Sequence, residues 1–110
     1  MDPHQSISLT TLNEFLSIPD DSIRVIDIRS PEEYETQHIP IAENIPAETL
    51  DSVAFPDGET IVCVCNHGKQ RSQNAAALLY EKGYKNAFYL EGGIAAWFDE
   101  NSKRNHQSPE

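Results

Sequence analysis

The stretch IVCVCNHGKQRSQNAAALLY, residues 61–80, decides the fold of this chain. It opens with an apolar run that ends on Cys65, continues as a short polar loop closed by Arg71 and Ser72, and then becomes alanine- and leucine-rich. The β-branched apolar run predicts a buried strand, and the last segment predicts a helix. A thiol between a strand and a helix can form a site for an anion or a reactive sulfur, because helix N-termini favour negative charge.

Further apolar runs predict the rest of a sheet. We expect strands at residues 6–8, 23–28 and 86–90, and a small extended segment at residues 41–45. Helical patterns separate these runs, and strands that alternate with helices indicate an α/β domain with a mainly parallel sheet. Such sheets bind ligands beyond the carboxyl ends of their strands, where the turns after Asp27 and Cys65 both lie.

Capping residues mark where two of the helices begin. Ser30, followed by a proline and then by Glu33, is a capping box with proline at the first helical position. Thr11 with Glu14 indicates a second capping box, and Pro19 ends the helix that follows it.

Length and composition indicate one small acidic domain. The chain has 110 residues and a formal net charge of -10, so we expect a single domain over residues 1–100 and a polar, disordered tail over residues 101–110. An acidic surface argues against nucleic acid and membrane partners. The N-terminus has neither a basic start nor an apolar stretch, which predicts a cytoplasmic protein without a signal peptide. We expect it to be a monomer.

The two cysteines predict free thiols rather than a disulfide or a metal site. Cys63 and Cys65 are two residues apart on one strand, a spacing too tight for ordinary disulfide geometry. No second pair of cysteines or histidines stands at a metal-binding spacing, so we expect no metal and no cofactor. We interpret Cys63 as a buried structural residue and Cys65 as the candidate nucleophile.

The loop after Cys65 has the features that stabilise a thiolate. Its amides can converge on an anion, glycine lets the chain curl, and the segment from Thr60 to Tyr80 contains cations but no Asp or Glu. These settings lower the pKa of a cysteine. The candidate binding residues are Asn66, His67, Gly68, Lys69, Gln70, Arg71 and Ser72.

Spacing alone leaves more than one function open. Cys65 and Arg71 form a C-x5-R pattern followed by serine, which thiol-dependent phosphatases use to cradle a phosphoryl group. The same cradle would hold a persulfide, in which a terminal sulfur replaces the phosphorus. A third possibility is a sensor or docking module that binds a partner near the loop without catalysis.

Three ordered motifs resemble the rhodanese family of single-domain sulfurtransferases. They are VIDIRSPEEYETQHIPIAENIP at residues 25–46, CNHGKQRS at 65–72 and KGYKNAFYLEGGIAAW at 82–97. The resemblance implies a rhodanese-like fold, a five-stranded, mainly parallel sheet with helices on both faces. It also implies that Cys65 takes sulfur from a small anionic donor, thiosulfate or a persulfide, and passes it as a persulfide to cyanide, a thiol or a protein acceptor. Loop amides and Arg71 would stabilise the charged sulfur.

The resemblance assigns supporting roles to residues outside the loop. Asp27 and Arg29 match the family's D-x-R strand end and are expected to pair with neighbours or loop amides. We expect Glu33 to cap its helix and to do nothing more, and His38 to pack and form hydrogen bonds rather than act as a base.

Two departures from the family pattern stand out. Gln37 and Ile41 replace glycines of the family, so the turn near Ile41 is expected to differ. Typical sulfurtransferases of this kind have four residues between the cysteine and the arginine, whereas this chain has five, like the phosphatase and arsenate-reductase branch. Sulfur transfer remains the leading prediction because the fit outside the loop is closer.

Overall fold

The protein alternates strands and helices, as the sequence predicts. The computed structural model describes residues 5–17 and 23–106. The strands are β1 (Ser6–Ile7), β2 (Ile23–Asp27), β3 (Glu43–Asn44), β4 (Thr60–Val64) and β5 (Ala87–Leu90). The helices are α1 (Leu9–Leu16), α2 (Pro31–Thr36), α3 (Ala47–Leu50), α4 (Gln70–Glu81) and α5 (Gly93–His106).

The five strands form one parallel sheet with β4 at its centre. The strand order is β1-β5-β4-β2-β3, and every pairing between neighbours is parallel. Residues on β2 and β4 are in register, with Asp27 opposite Val64. The carboxyl ends of these two strands therefore meet at one edge of the sheet, which places Arg29 and Cys65 near each other.

Hydrophobic cores cover both faces of the sheet. Side chains alternate along each strand, so Ile61 and Cys63 face one core while Val62 and Val64 face the other. Residues of α3 and α4 pack on the first face, and residues of α1 and α5 pack on the second. The predicted five-stranded, mainly parallel sheet with helices on both faces is confirmed.

Two helix boundaries differ from the sequence prediction. The N-cap of α1 is Ser8, whose hydroxyl accepts from the amide of Thr11 at 3.1 Å, so the predicted cap at Thr11 is wrong. Ser8 supplies the same capping oxygen one turn earlier, directly before the first apolar residue. The helical backbone of α5 runs to His106, past the predicted start of the tail at Asn101. No glycine or proline interrupts residues 94–108, so nothing in the sequence ends that helix earlier.

Other local predictions can be compared directly. The capping box of Ser30 and Glu33 is present with both of its hydrogen bonds. Ile41 is half exposed, and no described residue other than glycine has a positive φ, so the turn at Ile41 needs no left-handed backbone. Pro19, the predicted end of α1, lies outside the described residues. Within the described parts of the chain, no helix is long and apolar enough to cross a membrane.

Candidate active site

Cys65 lies at the carboxyl end of the central strand. It directly follows β4, and α4 begins five residues later at Gln70. Its side chain is only 3% exposed, so the sulfur lies at the base of the loop rather than on the surface. This is the position at which parallel sheets bind ligands.

Hydrogen bonds to the first turn of α5 fix the loop. The amide of Ile94 donates to the carbonyl oxygen of Cys65 at 2.9 Å, and the amide of Ala95 donates to that of Asn66 at 2.9 Å. Amides in the first turn of a helix have no partner within the helix, so they are free to bind these carbonyls. The C=O and N–H of one trans peptide point in opposite directions, so the amides of Asn66 and His67 point away from α5.

Two glycines let the loop and the start of α5 approach backbone to backbone. Gly68 has a φ of +68°, and a Cβ there would lie 2.4 Å from the carbonyl oxygen of Leu90. Gly93 has a φ of +63°, and a Cβ there would lie 2.4 Å from the carbonyl oxygen of Cys65. A side chain at either position would push the loop away from α5, so the loop geometry depends on both glycines.

Hydrogen-bonding groups of the loop and of α4 stabilise the sulfur of Cys65. The neutral thiol donates to the hydroxyl oxygen of Ser72 at 3.2 Å, and the same hydroxyl and the amides of Gly68, Lys69 and Ser72 can donate to the thiolate. Burial raises the pKa of Cys65, but the hydrogen bonds to Ser72, Lys69 and Gly68 together outweigh burial and lower the pKa below its ordinary value. Because the thiolate is the nucleophilic form of cysteine, this arrangement favours a reactive sulfur.

A buried ion pair on β2 and its following turn supports the loop. Nη2 of Arg29 lies 2.8 Å from Oδ2 of Asp27, and both side chains are almost fully buried. Nη1 of Arg29 donates to Oδ1 of Asn66 at 2.9 Å, and Nη2 also donates to the carbonyl of Gln37 at 2.6 Å. The pair therefore reaches the loop through Asn66, the residue next to the candidate nucleophile.

Arg71 is paired with Glu33 of α2. Its Nη1 and Nη2 atoms donate to the two carboxylate oxygens of Glu33 at 3.1 and 3.3 Å. The hydrogen bonds from Arg71, followed by the amide of Ser30, lower the pKa of Glu33 to about 2. The prediction that Glu33 only caps its helix is therefore wrong, because the same carboxylate also binds Arg71.

The last three candidate loop residues belong to a helix. Gln70, Arg71 and Ser72 form the first turn of α4, although the sequence pattern placed them in the loop. Successive helical residues are rotated by about 100° around the axis. This rotation explains why Ser72 is buried against Sγ while its neighbour Arg71 is exposed and faces Glu33.

An open cavity of about 230 Å³ lies over the loop. Its walls are Cys65, Asn66, His67, Lys69, Gln70 and Arg71. The side chains of His67, Lys69 and Arg71 are exposed, whereas Cys65 is buried, so the cavity has a polar rim above the sulfur. Among the described residues, no cluster of three or more His, Cys, Asp or Glu side chains could hold a metal ion.

Two residues outside the loop have the structural roles that the sequence suggests. Cys63 is fully buried and unpaired, and burial, with a smaller effect from Cys65, raises its pKa to about 12. A thiol with such a pKa stays protonated at neutral pH and is a poor nucleophile. The ring of His38 stacks on Tyr34 with 3.8 Å between centroids, and its Nδ1 lies 2.7 Å from the carbonyl oxygen of Tyr34.

Sequence reasoning missed two contributors to this site. Glu33 binds Arg71, which lies 38 residues further along the chain, and local sequence patterns do not predict a contact between residues so far apart in sequence. Gly93 lets the loop approach α5 closely, and the double glycine at residues 92–93, one residue after a predicted strand, indicates such a close approach in the sequence.

Known proteins match the chain over most of its length. Residues 11–100 match the family described as Rhodanese-like domain. The thiosulfate sulfurtransferase GlpE of Pseudoalteromonas translucida is 32% identical over 93 residues, which are 83% of this chain and 86% of that protein. The protein of the same name from Shewanella oneidensis is 36% identical over 83 residues, which are 74% of this chain and 81% of that protein.

The solved structure of the human single-domain sulfurtransferase TSTD1 has the same fold. It superposes with a TM-score of 0.75 at 28% sequence identity, and the match covers 86% of this chain and 95% of that one. The family match spans most of the chain, and it includes the central strand β4, the cysteine loop and the start of α5, against which the loop packs. The chain therefore belongs to the rhodanese-like domain family.

Proposed function

We propose that this protein is a sulfurtransferase in which Cys65 carries sulfur as a persulfide. The observation that carries the proposal is the buried sulfur of Cys65 at the base of an open cavity, where the Ser72 hydroxyl and the loop amides can stabilise its thiolate by hydrogen bonds. Relatives named thiosulfate sulfurtransferase share most of the chain, which supports the same chemistry here.

In the first step, the Cys65 thiolate attacks the outer, sulfane sulfur of an anionic donor such as thiosulfate. A bond forms between Sγ and the sulfane sulfur, and the bond between the two sulfurs of thiosulfate breaks. Its electron pair leaves with sulfite, so a thiolate and thiosulfate become a persulfide anion and sulfite. The amides and the hydroxyl that stabilise the thiolate can stabilise the negative charge of the persulfide in the same way.

In the second step, an acceptor attacks the outer sulfur of the persulfide. A thiolate acceptor takes that sulfur and becomes a persulfide itself, while the electron pair of the broken bond returns to Cys65 as a thiolate. Cyanide would become thiocyanate by the same displacement, and a protein thiol would react as a small thiol does. The cavity above Cys65 is open to solvent, which suits the entry of an acceptor after the donor product has left.

Intact-mass measurement tests this proposal. The reduced protein is incubated with thiosulfate, desalted and weighed before and after addition of cyanide. We expect a gain of one sulfur atom that cyanide removes, in the wild type and in Cys63→Ala but not in Cys65→Ser. A protein that gains no sulfur from thiosulfate or from an organic persulfide, or a Cys65→Ser variant that still turns over, would contradict the proposal.

A second candidate is hydrolysis of a phosphate ester or reduction of arsenate by the same thiolate. The observation in its favour is the five-residue spacing between Cys65 and Arg71, with the Ser72 hydroxyl 3.2 Å from the sulfur. Against it, the guanidinium of Arg71 binds Glu33. Cleavage of an aryl phosphate that vanadate inhibits and that Cys65→Ser loses would establish this activity, and absence of turnover and of oxyanion binding would exclude it.

A further inference from the structure

The cations around the candidate cavity are compensated unequally. Arg29 is neutralised by Asp27, and Arg71 is neutralised by Glu33. Lys69 lines the cavity and forms no ion pair with any described residue. An anion that enters the cavity therefore meets one uncompensated lysine and one arginine that already holds a carboxylate.

We propose that Glu33 is a specificity-determining residue that makes the site discriminate against doubly charged sulfur donors. It acts through Arg71, which lines the cavity, and does not itself line the cavity. The inference rests on the proposed sulfurtransferase activity and specifies which class of anionic donor the site accepts. Glu33 reduces the net positive charge that a donor meets, and a dianion loses more from this reduction than a monoanion does.

The surroundings of Glu33 keep its carboxylate in place and charged. Oε1 of Glu33 accepts hydrogen bonds from the amide and the hydroxyl of Ser30 at 3.1 and 3.2 Å, in addition to its bond from Arg71. A carboxylate held by its own helix cap cannot simply turn away when an anion approaches Arg71. Its low pKa, near 2, means that it also stays ionised throughout the neutral range.

Two sulfur donors that react in the same way but differ in charge isolate the effect of donor charge. Thiosulfate is a dianion and methanethiosulfonate is a monoanion, but both carry the sulfane sulfur on a sulfonyl-type centre. With methanethiosulfonate, Cys65 forms a bond to the sulfane sulfur and the leaving group is methanesulfinate, so the step balances as it does for thiosulfate and sulfite. The ratio of kcat/KM for the two donors therefore reports mainly how the site responds to the second negative charge.

The experiment compares this ratio in the wild type, Glu33→Gln and Glu32→Gln. Glutamine can replace glutamate in a capping box, so Glu33→Gln keeps the cap and removes the charge. We expect it to raise the thiosulfate-to-methanethiosulfonate ratio about three- to tenfold, the size of one partly screened charge a few ångströms beyond Arg71. Glu32 is the neighbouring glutamate in the first turn of α2, and both carboxylate hydrogen bonds of Arg71 go to Glu33 instead, so Glu32→Gln should keep the wild-type ratio.

A further variant tests whether the change in the donor ratio comes from the lost charge of Glu33 rather than from an altered helix. Glu33→Asp keeps the negative charge on the same turn and is expected to stay close to the wild-type ratio. An unchanged ratio in Glu33→Gln, or an equal rise in Glu32→Gln, would overturn the proposal.

A second measurement does not depend on sulfur transfer. The alkylation rates of Cys65 by iodoacetate, an anion, and by iodoacetamide, which is neutral, are compared in the same variants. We expect Glu33→Gln to raise the iodoacetate-to-iodoacetamide ratio by a similar factor, about three- to tenfold, because these two reagents also differ by one unit of charge. If this ratio rises but no donor loads Cys65, the sulfurtransferase proposal fails and the role of Glu33 stands. If donors load and neither ratio changes, the role of Glu33 fails and the sulfurtransferase proposal stands.

Discussion

Replacing Ser72 with alanine removes a side-chain hydroxyl that hydrogen-bonds the candidate nucleophile. Oγ of Ser72 lies 3.2 Å from Sγ of Cys65, and Ser72 is fully buried. With a neutral thiol, S–H donates to Oγ, and the hydroxyl can donate to the carbonyl oxygen of Lys69 at 3.4 Å. When the thiol loses its proton, the hydroxyl can turn and donate to the thiolate instead. Ser72→Ala removes this bond to the charged form, so the pKa of Cys65 must rise.

The size of the effect follows from the energy of a charge-assisted hydrogen bond. Such a bond contributes about 1.5–3 kcal/mol, and a sulfur acceptor favours the lower end of that range. About 1.4 kcal/mol corresponds to a factor of ten in the acid dissociation constant. Because neither Cys65 nor Ser72 is exposed, water does not replace the lost donor. At a pH below both pKa values, we therefore expect the thiolate fraction of Ser72→Ala to fall about tenfold or more.

The assay is the rate of Cys65 alkylation by iodoacetamide as a function of pH. The Ser72→Ala profile should move to higher pH, with a similar rate at the alkaline plateau. Ser52→Ala is the control, because its exposed hydroxyl donates to the carbonyl of Thr49 and lies outside the candidate site. A superimposable profile for Ser72→Ala, with a native circular dichroism spectrum, would show that the amides alone stabilise the thiolate and that the argument for Ser72 is wrong.

Three further substitutions test the frame of the site. Urea unfolding should show that Gly68→Ala destabilises the fold by at least about 2 kcal/mol more than Gly58→Ala does. Both glycines have a positive φ, but of the two only Gly68 lacks room for a Cβ. Equal losses of unfolding free energy in the two variants would contradict the close approach at Gly68. Arg29→Met should lower the free energy of unfolding by about 3–5 kcal/mol, because it leaves the buried carboxylate of Asp27 unpaired. Arg24→Met breaks a partly exposed ion pair and should lower it by less than about 1 kcal/mol. Similar losses in the two variants would contradict the larger role of the buried pair. Burial raises the pKa of Cys63 from 9.0 to about 12, so its neutral thiol contributes stability that is lost as pH rises from 9 towards 12. The free-energy deficit of Cys63→Ala relative to the wild type should shrink over that pH range, and a constant deficit would contradict the shift.

The order of strand, cysteine, loop and helix was predictable because it is local. A β-branched run that ends on Cys65, followed by a glycine-containing loop and an alanine-rich segment, leaves few alternatives to a strand, a tight loop and a helix. The near-continuous apolar character of residues 23–28 likewise indicated a strand covered on both faces, and the two cores confirm it. The helix start of α2 was readable because both partners of its capping box lie within four residues.

The relation of Arg71 to its surroundings was not predictable in the same way. Whether Arg71 faces the loop or another helix depends on the residue at which α4 begins, and helix ends are set by hydrogen bonds that the pattern does not fix to one residue. The start at Gln70 turns Arg71 towards α2, where Glu33 is available. The partner is present only because β2 and β4 are neighbours in the sheet, which brings the helices after them together.

The electrostatics of the candidate site must act at short range. The chain carries a formal net charge of -10, so its overall field repels an anionic donor rather than attracting it. At physiological ionic strength this repulsion is screened within about 8 Å, whereas hydrogen bonds from the loop amides and Ser72 act at contact distance on a buried sulfur. The two arginines near the loop, Arg29 and Arg71, are neutralised by carboxylates, so the fixed dipoles of the loop amides and Ser72 stabilise the thiolate more than these two charges do. Such dipoles stabilise a thiolate and a persulfide alike, because both place one negative charge on sulfur at the base of the same cavity. In the proposed mechanism, the site would therefore stabilise the negative charge on the Cys65 sulfur more strongly than the negative charge of the donor that brings the sulfur.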